Sequence, residues 1–318
     1  MNRVIWKWVI LLLAPCLLAG CAQDAGKPAA DVIEVLLIPA DGGTEDGTMA
    51  DYRPLFDAIG KSTGLTFRLR VAQSYAAVVE AICNGTAQVA FVGPVTYLQA
   101  RERGCAELLA VAVKDGRSTY YSGIFVRQDA PLRQLADLRG HSLALGDINS
   151  TSSFVIPLAM LVKAGVEPAR DLSAIRMTGT HSGNMAALVT GQVDAAAMSF
   201  ESYQKAVRNG LPGARGLRMI ARSDPIPFPP LIMGTRLPPE RKLALRQALA
   251  GIAADPSINP EMIRGYGGGR VDGYDTAFPA SRFDVVAQKM ALLDEERTAA
   301  ILARAGGRSS PATLATIR

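Results

Sequence analysis

Three features of the sequence predict an α/β protein of two lobes joined by a two-strand hinge. Strand-like apolar runs alternate with helix-like segments, the signature of βαβ units around parallel sheets. Of the 318 residues, 298 remain once the first twenty are set aside, enough chain for two lobes. At 49% hydrophobic residues, the chain can bury a substantial core.

The first lobe opens with a strand at 32–38, and residues 50–63 follow with Tyr52, Leu55, Phe56 and Ile59 at helical spacing. A second strand covers 67–72, and a helix over 75–84 turns Val78, Val79 and Ile82 inward. The third strand, 88–92, stops at the Gly93-Pro94 turn. Runs at 108–113 and 122–127 are strand-like and end at the Asp129-Ala130-Pro131 break. A fresh unit begins at 135–138 with a strand over 142–145. A helix over 152–165 and the segment 185–190 surround a smaller second sheet. The run 217–221 then leads back through the Pro-rich stretch 224–230. The chain thus leaves lobe one near 124–127 and returns near 220–223, where few residues must absorb a hinge rotation. This division assigns 32–125 and 222–318 to lobe one and 126–221 to lobe two. Beyond Pro239 the pattern is mostly helical (Leu243, Leu245, Leu249, Ile252) and packs back on lobe one. The glycine-rich stretch 265–269 lacks the strand–turn–helix context of a phosphate loop and reads as a surface turn.

Residues 1–20 have a basic start (Arg3, Lys7) and an apolar run of about a dozen residues, short of the roughly 20 that span a bilayer. They read as a cleavable export signal. Leu18-Ala19-Gly20-Cys21 resembles the lipobox of bacterial lipoproteins, in which the cysteine thiol is alkylated by diacylglycerol. Residues 21–31 then form a small, polar, lipid-anchored tether, and the chain is expected in the periplasm or at the cell-envelope surface. Cys16 leaves with the signal. In an oxidising compartment Cys83 and Cys105 are candidates for one disulfide closing a short loop, with two buried thiols as the alternative.

The formal charge of +5 falls by two when Arg3 and Lys7 are removed. The remaining Lys and Arg are dispersed, without the basic run that tracks a nucleic-acid backbone, so no nucleic-acid partner is expected. Two histidines without clustered cysteines or carboxylates predict no metal site. No cofactor is implied, and a monomer is expected.

Residues 146–157 carry the chemistry. A strand ends at Leu145, and an apolar helical run begins after Ser152. Asn149 or Ser150 can cap that helix, leaving backbone N–H groups at its first turn. Those donors, the positive end of the helix dipole and the hydroxyls of Ser150, Thr151 and Ser152 make an anion site without any lysine or arginine. Hydrogen bonds from neutral donors to an anion contribute roughly 1.5–3 kcal/mol each. Three or four approach the roughly 8 kcal/mol of a micromolar complex, before association costs. Plain helix capping explains the local pattern equally well.

Wider landmarks favour the anion site. They are Tyr75 in Gln73-Ser74-Tyr75-Ala76, the Val92-Gly93-Pro94 turn, Asp115-Gly116, Tyr120 shortly before Ser122, Asp147-Ile148-Asn149-Ser150-Thr151-Ser152, Gly179-Thr180-His181, Gly191-Gln192-Val193-Asp194-Ala195 and Pro225-Ile226-Pro227. With these, residues 33–237 resemble the phosphonate-, phosphite- and phosphate-binding components of ABC importers, which have the type II periplasmic binding protein fold. The resemblance implies that Ser150, Thr151 and Ser152 grip a tetrahedral oxyanion and that His181 completes the cage from the same lobe. It implies further that Tyr75 and Tyr120 donate hydroxyls or wall the site from the opposite lobe. His141 is left at the surface.

Relatives that take an aminoalkyl phosphonate place acidic groups near the ligand's ammonium. Glu201 matches one such position, with an exposed helix-end glutamate as its plainer reading. Pro229 stands where the other carboxylate falls. A desolvated cation without its partner costs several kcal/mol, so a ligand lacking an ammonium is favoured: phosphite, phosphate or a simple alkylphosphonate.

Three functions follow. The first is a binding lipoprotein that delivers the oxyanion to an ABC permease in the inner membrane. The second is a sensing lipoprotein with the same pocket and a different membrane partner. The third is a phosphorus-compound hydrolase, which needs a metal cluster or an activated nucleophile. No catalytic residue is assigned, because Ser150–Ser153 and His181 lack a Gly-x-Ser-x-Gly elbow.

Overall fold

The computed structural model describes residues 32–40 and 45–306. The export signal, Cys21 and the tether lie outside the described residues. In chain order the first lobe comprises β1 (Val32–Leu37), α1 (Glu45–Thr63), β2 (Thr66–Val71), α2 (Tyr75–Asn84), β3 (Val89–Phe91), α3 (Pro94–Glu102) and β4 (Ala106–Val113). The crossing strand β5 (Thr119–Tyr120) leads into β6 (Ser122–Arg127) and β7 (Ser142–Gly146). A π turn over Thr151–Val155 then precedes α4 (Ile156–Lys163), followed by α5 (Pro168–Asp171), β8 (Ala174–Gly179), α6 (His181–Val189), β9 (Ala195–Ser199), α7 (Phe200–Arg208) and β10 (Leu217–Arg222). The return passes through β11 (Ile226–Pro227) to β12 (Pro230–Gly234), α8 (Pro239–Gly251), β13 (Gly273–Asp275), α9 (Asp284–Met290) and α10 (Glu295–Arg304).

The strands form two sheets and a ribbon. The larger sheet has the order β13-β4-β12-β3-β1-β2, the smaller β10-β6-β9-β7-β8, and β5 pairs with β11 between them. This is the two-lobed α/β architecture of type II periplasmic binding proteins. Strands β2, β1 and β3 are parallel, and β1 is apolar at Ile33, Val35, Leu36 and Leu37, as a strand covered on both faces must be. Strand β12 is buried along its whole length and pairs antiparallel with both β3 and β4. The first sheet is therefore completed only by chain that has already built the second.

The lobe boundaries differ from the expected ones in two places. Strand β6 joins the second sheet already at Ser122, pairing with β9 and β10, so it is not divided between lobes at residue 125. The crossings are the β5/β11 ribbon, with Tyr120 opposite Ile226, and the reciprocal bonds of Ser122 and Ser223 just beyond it. The C-terminal helices also do not all return to lobe one. Helix α10 packs on α5 and β8 of lobe two. There Arg297 pairs with Glu167 at 3.2 Å, and Arg304 donates to the carbonyls of Leu172 and Ser173. The helical pattern beyond Pro239 could not show which lobe covers each helix.

A disulfide joins Cys83 at the end of α2 to Cys105 before β4. Among the described residues no helix is long and apolar enough to cross a membrane.

The docking of α10 rests on Ile301, which is fully buried. Ile301→Ala should lower unfolding stability by about 2–4 kcal/mol in urea titration. A loss below about 1 kcal/mol would mean that this third tie between the lobes is loose.

Candidate functional site

In the second sheet β8, β7 and β9 run parallel, so the helices that follow them start at the same sheet edge. Each start is capped by a hydroxyl. Thr180 accepts the Gly183 N–H before α6, Ser150 accepts the Ser153 N–H in the π turn, and Ser199 accepts the Ser202 N–H before α7. The π turn closes with the Val155 N–H on the Ser150 carbonyl at 3.1 Å, one residue further back than an α turn reaches. The Ile156 N–H continues the ladder onto the Thr151 carbonyl; Pro157 has no N–H to give, and the next carbonyl, Ser152, instead accepts the Ser122 hydroxyl at 2.7 Å. Three positive helix ends thus converge on one edge.

Lobe one meets this edge with helix starts of its own. The Val95 N–H, in the first turn of α3, donates to Thr151 Oγ1 at 2.9 Å. Gln99 Nε2 donates to Asn149 Oδ1 at 2.8 Å, and the Tyr75 N–H at the start of α2 donates to the Asp147 carboxylate. From lobe two, the His181 N–H reaches the Ala40 carbonyl at 2.9 Å. Gly93 allows this approach, since a Cβ there would stand 3.3 Å from Thr151 Oγ1. The lobes are therefore shut, and the hydroxyl loop is enclosed, not open to solvent: Ser150, Thr151 and Ser152 are each at most 3% exposed. Burial raises the Asp147 carboxyl above the ordinary carboxylate range, against the hydrogen bonds from Asn149 and Tyr75.

The remaining walls are aromatic. Tyr120 is fully buried, and its hydroxyl bonds the side chains of Ser152 and Thr151. Its ring stacks on Phe228 at 5.9 Å and meets Tyr266 edge-on at 5.7 Å. His181 accepts the Ser199 N–H at Nδ1, which puts the proton of the neutral ring on Nε2 as a donor. Its ring lies 6.4 Å from that of Tyr266, whose hydroxyl is 3.1 Å from Ser199 Oγ and 3.2 Å from Ser202 Oγ.

Residues 43–279 match the family model described as ABC transporter, phosphonate, periplasmic substrate-binding protein. The chain belongs to that family. It is 31% identical over 196 residues to the phosphate-import protein PhnD of Mycolicibacterium smegmatis, an alignment covering 56% of this chain and 60% of the relative. It therefore spans less than two thirds of that relative's length. Among solved structures, it resembles a binding protein component of an ABC phosphonate transporter from Pseudomonas aeruginosa, with TM-score 0.73 and 20% identity over 91% of this chain and 95% of the other. It also resembles PhnD1 from Prochlorococcus marinus in complex with methylphosphonate, with TM-score 0.72 and 16% identity over 83% of this chain and 99% of the other. At these identities the two structures speak for the fold alone.

The sequence-derived residues fall at the seam between the lobes of this family member. Thr151, Ser152 and Tyr120 are in mutual contact. Ser150 sits beneath them with its Oγ taken as an acceptor by Ser153 Oγ at 2.7 Å, so capping and presentation of the hydroxyl loop are one arrangement. His181 and Tyr75 head α6 and α2 on opposite sides of the seam. Glu201 is not an exposed helix-end residue. Its Oε2 is buried without a hydrogen-bond partner, its carboxyl accepts the Tyr121 N–H, and burial raises it to about 7. The glycine-rich stretch is not a surface turn either. Gly265, Tyr266 and Gly267 are buried, and Tyr266 joins the wall. Its single aromatic among glycines was the only signal, and it had no helical or strand period to place it. Among the described residues no group of His, Cys, Asp and Glu could hold a metal ion.

Glu201 makes stability depend on pH with a definite sign. Its folded value lies above the unfolded one, so the stabilising proton is present at low pH and lost as pH rises from about 4.5 to about 7. Glu201→Gln should flatten that fall in thermal melts and raise stability at pH 8 by about 1–3 kcal/mol. Parallel pH curves for the two proteins would contradict the raised carboxyl.

Proposed function

We propose that the chain is the substrate-binding lipoprotein of an ABC importer and closes its two lobes on a phosphonate, phosphite or phosphate oxyanion. The observation that carries this reading is the meeting of two helix starts across the seam, with the Val95 N–H against the Thr151 hydroxyl. Two positive dipole ends brought together repel, and an anion between them converts that repulsion into attraction from both sides. Neutral donors surround the point: the first-turn N–H groups, Thr151, Ser152, Tyr120 and the Nε2–H of His181. The phosphate import named for one relative and the methylphosphonate bound to one structural neighbour support the same ligand class.

The proposed ligand lacks an ammonium group. Glu201 keeps one of the two acidic positions, Pro229 stands where the other falls, and Lys114 and Arg208 act electrostatically on Glu201. A carboxyl near 7 can give or take the proton of a P–OH group at neutral pH. We propose that Cys21 carries the lipid and that the body works in the periplasm, beside the permease it feeds. The reading assigns binding without turnover.

Enclosure requires the lobes to part before ligand enters, and that opening should be reversed on binding. In calorimetry with phosphite, phosphate and methylphosphonate, Thr151→Ala and His181→Ala should each weaken the best ligand about tenfold or more, a loss of roughly 1.4 kcal/mol. Unchanged affinity in both folded variants would remove the proposed cage.

A further inference from the structure

A cavity of about 580 Å³ lies beside the hinge, along α4 beyond the hydroxyl loop. Three bodies wall it: Ile156 and Met160 of α4, Pro225 and Ile226 of the return crossing, and Val285 and Val286 of α9. Val285 is 45% exposed, among the few large apolar side chains left to solvent in the described residues. The volume suits a small organic ligand, and these apolar side chains share the lining with charged and polar ones, Lys163 and Lys289 among them.

Two of its lining residues are amines. Lys163 comes from α4 and Lys289 from α9. Like charges repel, and an anion placed between them would be held by both. The neighbouring Lys289 holds the Lys163 amine below its ordinary value. The nearest carboxylate, Asp224, is 3.6 Å from Lys289, but its side chain is 86% exposed, which makes it a weak counter-charge. Arg222 also borders the cavity, with its guanidinium engaged over the Tyr121 ring at 4.6 Å.

We propose that this cavity is a second ligand site, taking an amphiphile with one carboxylate head and a short alkyl tail. The head lies between Lys163 and Lys289, and the tail covers Met160, Ile156 and Val286. This site is separate from the oxyanion cage and does not depend on it. Because its walls belong to lobe two, the return crossing and α9, an occupant couples to whatever motion shifts those three relative to one another.

Isothermal titration of octanoate and octan-1-ol into the full-length chain tests the proposal. Octanoate should bind saturably and at least tenfold tighter than octan-1-ol. The double variant Lys163→Ala, Lys289→Ala should lose that difference. Met160→Trp, which fills the cavity, should abolish octanoate binding while its circular dichroism stays that of the parent. No saturable binding of octanoate, equal affinity for the alcohol, or octanoate affinity unchanged in the lysine variant would overturn the proposal. The lysine variant decides the matter alone should the tryptophan variant fail to fold.

Discussion

The hydrogen bond from the Val95 N–H to the Thr151 hydroxyl is the contact on which the rest of the arrangement turns. It joins the first turn of a lobe-one helix to the first turn of a lobe-two helix, so the two positive ends face one another. Such a meeting is unfavourable by itself and needs local compensation. Protein hydroxyls supply some of it: Thr151 takes the Val95 proton and still has its own to give. A bound oxyanion would supply more, and would do so only when both lobes are in place. Closure and recognition are then the same event.

The topology explains why this meeting is available. Parallel strands send their following helices off a common edge, and each lobe contributes one such edge to the seam. Strand β12 ties lobe one shut from within by pairing between β3 and β4. Around the hinge the ribbon β5/β11 is only two residues deep, a short element to carry the rotation. Helix α10 adds a tie at the far side, where Arg297 and Arg304 hold it to lobe two. Motion of the lobes must bend the chain between α9 and α10 as well as the two crossing strands.

Much of this was legible in the sequence, for identifiable reasons. Val32–Leu37 and the Val78, Val79, Ile82 face have periods that a strand and a helix require. The Asn149–Ser153 segment stood out because a strand ends before it and an apolar helix follows. Strand β9 was not legible: Ala195, Ala196 and Ala197 have weak strand preference, and only burial at the centre of the sheet holds them extended. Tyr266 was missed because its place depends on contacts with Tyr120, His181 and Ser199, all distant in sequence. The lobe that receives α10 was illegible for the same reason. Glu201 was noticed, but only its packing against the Tyr121 backbone shows why its carboxyl is buried and raised.

A crystal structure of the chain grown with methylphosphonate is the most direct measurement of the central claim. The account predicts the ligand's oxygens between the two helix starts, hydrogen-bonded to first-turn N–H groups, the Thr151 and Ser152 hydroxyls and His181 Nε2, with no lysine or arginine in contact. Density for the ligand paired with a cationic side chain, or bound away from this seam, would contradict it.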